Sequence, residues 1–202
     1  MKEFIYEVNN SLSNEVCDNI IEYFEENRSM QYDGYCSSID KGVKVNKDLK
    51  ETLDITINID TLSQDKIWKP IQDILINEIQ TNIKKYFLKL DNEKNIFFFN
   101  ISPKQIYIKT FLLHKYLKDK GKFTYHNDLS IDTYGYRLVN YLWYLNDVEE
   151  GGETEFFGNY KIKPEKGKLV FFPSEWFFPH TGKIPISNDK YVIAGWMYVD
   201  IG

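Results

Sequence analysis

The sequence predicts an α+β domain, in which a sandwich or jelly roll of short strands carries two N-terminal helices packed on one face. Three observations lead there. Helical periodicity is confined to residues 1–95, which read as helical support. From residue 96 to 202 it gives way to short β-prone runs separated by turn signals. The hydrophobic content of 43%, with 16% aromatic residues over 202 positions, suffices for one packed core, so a single domain is expected.

A first strand is expected at residues 4–8. Ser13 is placed to cap a helix over 14–27, whose Val16, Cys17, Ile20, Ile21 and Phe24 share one face. Residues 29–50 are polar and glycine-containing and read as a long loop, a kind of segment that is often functional. A short strand at 53–59 follows. The clearest helix spans 65–88, with Ile67, Ile71, Ile74, Leu75, Ile79, Ile83 and Phe87 as its stripe. Eight strands are then expected near 105–116, 122–127, 136–146, 153–157, 160–163, 168–172, 177–183 and 190–199, with turns at "KDKG", "DVEEGG", "KPEKG" and "PISND".

Charge and composition exclude several function classes. A net charge of −5 argues against a general nucleic-acid-binding surface. No apolar run approaches the ~18 residues of a membrane span. The N-terminus has no apolar stretch of the kind found in secretory leaders. Cys17 and Cys36 form neither a metal motif nor a disulfide framework, so two reduced thiols in a cytoplasmic protein are expected.

The chemistry gathers around three histidines. In "KFTYHNDLS", His126 and Asp128 stand two residues apart, and in an extended segment such residues point to one spot. Alone this also describes an exposed turn. The second relevant histidine is His180, in "WFFPHTGKIPISNDKYVIAGW". A hairpin centred near Pro185 would set His180 opposite Lys190, with Cβ atoms ~5 Å apart. Lys190, Val192, Ala194 and Trp196 would then share a face, an odd place for a lysine unless that face lines a cavity holding an anion. Two imidazoles and one carboxylate on a rigid β-scaffold form a facial triad with open coordination positions, suited to non-haem Fe(II) and O2 chemistry. His114 shares strand parity with Tyr116 and reads as a structural histidine. Glu149, Glu150, Glu153 and Glu155 surround Gly151 and Gly152 and read as solvated turn charges rather than a glycosidase acid pair.

Four blocks carry a resemblance. "KYLKDKGKFTYHND", "LVNYLWYLNDVEEGGETEFF", "IKPEKGKLVFFPSEWFFPHTG" and "NDKYVIAGW" together resemble the Fe(II)/2-oxoglutarate dioxygenases, in the branch of the prolyl 4-hydroxylases. The resemblance implies a double-stranded β-helix (jelly-roll) core, with His126, Asp128 and His180 as catalytic iron ligands. It further implies that Lys190 pairs with the 5-carboxylate of 2-oxoglutarate, that Tyr116 and Tyr144 line the co-substrate pocket, and that Trp196 closes it. Fe(II), 2-oxoglutarate and O2 are the implied cofactors, with room for ascorbate as an accessory. The implied reaction hydroxylates a C–H bond with release of succinate and CO2, foremost on a prolyl residue of a peptide or protein. Two alternatives stay open: hydroxylation of a free amino acid or other small molecule, and a non-catalytic metal-binding jelly roll. Neither a nucleic acid nor a membrane is an expected partner.

Overall fold

The computed structural model describes residues 1–38, 42–94 and 106–199. Helix α1, Asn14–Glu26, starts where Ser13 Oγ accepts from the amide of Val16, an N-cap. It ends where the Asn27 side chain donates to the Tyr23 carbonyl. Helix α2, Trp68–Lys94, begins three residues after Asp65, whose carboxylate accepts from the amides of Ile67 and Trp68. Its buried stripe is Trp68, Ile71, Leu75, Ile79, Ile83, Tyr86 and Leu90. Ile67 and Ile74, expected on that stripe, are exposed, because the helix starts at Trp68 and the indole takes the inward position. No described helix is long and apolar enough to cross a membrane.

Two antiparallel sheets face each other. The major sheet runs, from edge to edge, through Tyr6–Val8, Leu169–Pro173, Gly135–Tyr144, Lys190–Val199, Thr110–Tyr116, Leu53–Asn58 and Tyr32–Asp33. Ile131–Asp132 pairs with Gly135–Tyr144, and Ile106–Ile108 with Lys190–Val199. The minor sheet runs through Tyr160–Ile162, Thr154–Phe156, His180–Gly182, Lys122–His126 and Lys50–Glu51. Both helices cover the outer face of the major sheet, where Ile20, Phe24, Leu75 and Ile79 pack with Ile55, Phe111, Tyr141, Trp143 and Ile193. A second cluster fills the space between the sheets, with Tyr116, Tyr144, Phe156, Phe172, Phe178 and Val192. Strands that alternate between these two apolar faces give a jelly roll covered on one side, as expected.

Several expectations are corrected. Residues 4–8 divide into a 3-10 turn, Lys2–Phe4, and the strand Tyr6–Val8. Residues 29–50 are not a loop. They hold a two-stranded hairpin, Tyr35–Ser38 with Gly42–Val45, and the strands Tyr32–Asp33 and Lys50–Glu51; residues 39–41 lie outside the described residues. Tyr35, Val43 and Val45 are exposed, so the hairpin is held by its backbone ladder and offers no hydrophobic signature. The strand expected at 177–183 shrinks to His180–Gly182, because the chain turns at Glu175, whose carbonyl accepts from Phe178, and leaves Trp176 68% exposed.

Candidate metal and co-substrate site

The strands Lys122–His126 and His180–Gly182 are neighbours in the minor sheet, and His126 and His180 are direct partners across that ladder. Asp128 follows two residues beyond the strand end. One donor atom from each of His126, Asp128 and His180 lies within 4.8 Å of the others. His180 Nε2 stands 3.4 Å from Asp128 Oδ2. Cis donors of an octahedral first-row ion stand about 3 Å apart, so the group fits one ion.

Both imidazoles are oriented through the nitrogen that faces away from the group. His126 Nδ1 lies 2.8 Å from the Thr124 carbonyl, and His180 Nδ1 lies 3.3 Å from the Phe178 carbonyl. A backbone acceptor at Nδ1 sets the tautomer and leaves the Nε2 lone pair for a metal. Burial, with His180 beside it, pushes the His126 imidazole down to about 3, although Asp128 pulls the other way. It therefore stands neutral at physiological pH, as a ligand must. Phe156 and Phe172 enclose the His180 ring at 5.6 and 4.7 Å between centroids, which keeps that side of the site dry.

Lys190 is not opposite His180. Its ladder partner is Tyr116, in the other sheet, and the seven residues after Gly182 cross from the minor to the major sheet instead of closing a hairpin. Pro185 sits in an isolated bridge with Gly151 within this crossing. Lys190 nevertheless faces the space between the sheets and is 1% exposed. Its Nζ donates to the Gly152 carbonyl at 2.8 Å and stands 3.9 Å over the Tyr116 ring. Gly152 has φ +73, a left-handed conformation that glycine adopts freely, and this turns its carbonyl toward the ammonium. Among the described residues no carboxylate lies within ion-pair distance of Lys190. Burial lowers its pKa from 10.5 to about 7, against a distant pull from Glu153. By contrast the other deeply buried lysines are matched: Lys50 with Asp54, and Lys168 with Glu7 and Glu165.

The remaining expected residues divide. Tyr116 lies under Lys190 and against Gly182, where an added Cβ would press on its ring at 3.1 Å. Tyr144 is buried, with its hydroxyl donating to Thr154 Oγ1 at 2.7 Å. Trp196 lies six residues along the strand from Lys190, beneath the Arg137 guanidinium at 3.7 Å. His114 is structural, as expected: its Nδ1 is 2.7 Å from Asp54 Oδ1. Glu155 departs from the expectation of a solvated turn charge. It is 6% exposed on a strand, accepts from the Tyr125 hydroxyl and pairs with Lys183. Glu149 and Glu150 are exposed as expected.

The sequence reading missed Phe123 and Arg137. Register shifts re-aim both side chains. An extra residue between Phe123 and His126 brings two side chains of opposite expected parity together, with ring centroids 3.5 Å apart. A shift at Arg137/Val139 accompanies the stacking of Arg137 on Trp196. Residue spacing carries no signal for either.

Comparison with known proteins agrees with this geometry. Residues 111–198, which contain the three clustered residues and Lys190, match the family model of the 2OG-Fe(II) oxygenase superfamily. Among curated protein sequences none matches the chain. In fold the chain is similar to a Pseudomonas putida prolyl-4-hydroxylase, with a TM-score of 0.64 at 14% identity, over 96% of this chain and 92% of that one. It is likewise similar to a viral collagen prolyl hydroxylase from Paramecium Bursaria Chlorella virus-1 in complex with 2OG (TM-score 0.62, 20% identity, 96% and 95% covered). A third similar structure is a prolyl hydroxylase from Trichoplax adhaerens in complex with a hypoxia inducible factor peptide fragment (TM-score 0.67, 18% identity, 98% and 84% covered). Residues 111–198 therefore match the 2OG-Fe(II) oxygenase superfamily, and the chain as a whole is similar in fold to prolyl 4-hydroxylases.

Proposed function

We propose that this protein is an Fe(II)- and 2-oxoglutarate-dependent oxygenase that hydroxylates a prolyl residue in a peptide or protein, with His126, Asp128 and His180 holding Fe(II) and Lys190 anchoring 2-oxoglutarate. The observation that carries the metal assignment is the convergence of the three donors, with each imidazole fixed by a carbonyl at its far nitrogen. A co-substrate with a distal carboxylate fits Lys190, a buried amine that donates to the Gly152 carbonyl, lies over the Tyr116 ring and has no carboxylate within ion-pair distance among the described residues. Support for a prolyl substrate comes from the three similar structures, all prolyl hydroxylases, one of them holding a peptide.

When bound, iron and 2-oxoglutarate supply the oxidising chemistry, with succinate and CO2 released and one oxygen atom delivered to the substrate C–H bond. The chain's own residues bind, orient and exclude water. His126, Asp128 and His180 would hold the metal ion and would leave positions on it for co-substrate and O2. Lys190 and Tyr116 fix the far end of 2-oxoglutarate, and Phe156 and Phe172 keep the His180 side free of water. Arg137 is stacked on Trp196, on the strand that also carries Lys190.

The test is to incubate the protein with Fe(II), 2-oxoglutarate and proline-containing peptides, measuring succinate and the gain of one oxygen atom by the peptide. Succinate formation coupled to peptide oxidation at proline is expected, and chelation of the metal should abolish it. Coupling to free amino acids but to no peptide would overturn the substrate class and favour the small-molecule alternative.

A further inference from the structure

Lys50 is buried, 6% exposed, at the start of an extended segment that joins the two sheets. Lys50–Glu51 pairs with Lys122–His126 in the minor sheet, and Leu53–Asn58 pairs with Thr110–Tyr116 in the major sheet. Lys50, Thr52 and Asp54 therefore point the same way across the gap. Lys50 Nζ donates to Asp54 Oδ2 at 2.7 Å, and the other oxygen of Asp54 stands 2.7 Å from His114 Nδ1. A buried ion pair is a weak source of stability, since apolar residues of similar volume often do as well. The location of this one is more informative than its strength.

Lys50 and Phe123 are direct partners across the ladder, and Lys50 Nζ stands 5.1 Å over the centre of the Phe123 ring. The same ring lies nearly parallel to the His126 imidazole, 14° between planes and 3.5 Å between centroids. His126 is thus held at two points: its Nδ1 by the Thr124 carbonyl and its ring plane by Phe123. Phe123 in turn is held by a cation that Asp54 and His114 anchor to the opposite sheet. We infer that Lys50 is a positioning residue for the metal centre, acting through Phe123 on the plane of His126. The inference rests on His126 being a metal ligand, as proposed above.

The test uses metal-free protein titrated with Co(II), following its visible absorption, with folding stability measured in parallel. The variants are Lys50→Met, Lys50→Arg, Phe123→Leu, Lys50→Met/Phe123→Leu and Lys50→Met/Asp54→Asn. The last removes the carboxylate that Lys50→Met would orphan, so that loss of folding does not obscure the result. Groups that orient a metal-ligating histidine affect metal affinity by roughly tenfold to a hundredfold, and a loss of that size is expected in Lys50→Met/Asp54→Asn and in Phe123→Leu. An altered Co(II) spectrum should accompany it, and Lys50→Arg should restore most of the affinity. Lys50→Met/Phe123→Leu should bind no more weakly than Phe123→Leu alone, because the two act in series. Co(II) affinity and spectrum within about threefold of wild type in Lys50→Met/Asp54→Asn would show a purely structural staple and overturn the inference. Additive losses in the Lys50→Met/Phe123→Leu variant would overturn the route through Phe123. Failure of the wild-type protein to bind Co(II) would instead overturn the metal assignment itself.

Discussion

Replacing Lys190 by methionine keeps an unbranched side chain of similar volume, one atom shorter, and removes the ammonium. Among the described residues Lys190 Nζ has one oxygen partner, the Gly152 carbonyl, and one aromatic face, Tyr116, and the side chain is 1% exposed. A bound carboxylate there would form a charge-assisted contact away from water. Without the ammonium that carboxylate would be desolvated and unpaired, at a cost of about 3 kcal/mol or more. At tenfold per ~1.4 kcal/mol, 2-oxoglutarate should bind roughly a hundredfold more weakly. Metal binding should persist, since Lys190 lies in the other sheet from His126 and His180. The pH dependence has a definite sign. Burial lowers the Lys190 pKa from 10.5 to about 7, so the unfolded chain holds a proton that the folded, ligand-free protein lacks between those values. Lys190 therefore makes the ligand-free protein more stable as pH rises from about 7 toward 10.5, and bound 2-oxoglutarate should flatten that slope by restoring the charged form. The Lys190→Met variant should lack this contribution at every pH. The assay is calorimetric titration of Mn(II)-loaded wild type and Lys190→Met with 2-oxoglutarate. An affinity within about threefold of wild type would refute the assignment of Lys190 as the co-substrate anchor.

Alanine at His126, Asp128 or His180 should abolish Fe(II)-dependent turnover while leaving the circular dichroism spectrum unchanged; normal turnover in any two of the three would sink the iron assignment. Asp54→Asn should destabilise the protein by about 3–5 kcal/mol in denaturant unfolding, because it strands the Lys50 ammonium away from water. Burial alone would raise the Asp54 carboxyl, but His114 and Lys50 outweigh it and hold it well below the usual carboxylate range. Its stabilising share is therefore present above about pH 3.9, the ordinary value, and is lost as pH falls below that, a slope that Asp54→Asn should remove. The hairpin Tyr35–Ser38 with Gly42–Val45, and residues 128–137, should exchange amide hydrogens faster than Lys190–Val199, which is bonded on both edges. Equal protection in these segments would contradict this ordering of local stability.

Much of this protein is legible because it is local. The face of α1 follows from Cys17, Ile20 and Phe24 repeating at helical intervals, and its start from Ser13. The pairing of His126 with Asp128 needs only that a short segment be extended. The glycines of "EEGGET" announce a turn, and the structure adds that Gly152 directs its carbonyl at Lys190. The hairpin of Tyr35–Ser38 with Gly42–Val45 is not legible in the sequence because Tyr35, Val43 and Val45 stay exposed, and a ladder of backbone hydrogen bonds leaves no hydrophobic pattern.

What tertiary structure alone decided is which strands are neighbours. A period of two along 180–182 and 190–199 is satisfied equally by a hairpin, with His180 opposite Lys190, and by a crossing between sheets. The crossing occurs because His180–Gly182 is already bonded on both edges, to Thr154–Phe156 and to Lys122–His126, leaving no edge for Lys190. That choice sets His126 opposite His180 and Lys190 over Tyr116. The register shifts act the same way: one extra residue turns Phe123 toward His126, and another shift accompanies the placement of Arg137 on Trp196. Residue types and short spacings name the chemistry of the site because they are properties of single segments. Partners across a sheet arise from competition among distant segments for the same edge, and that competition is resolved only in the folded chain.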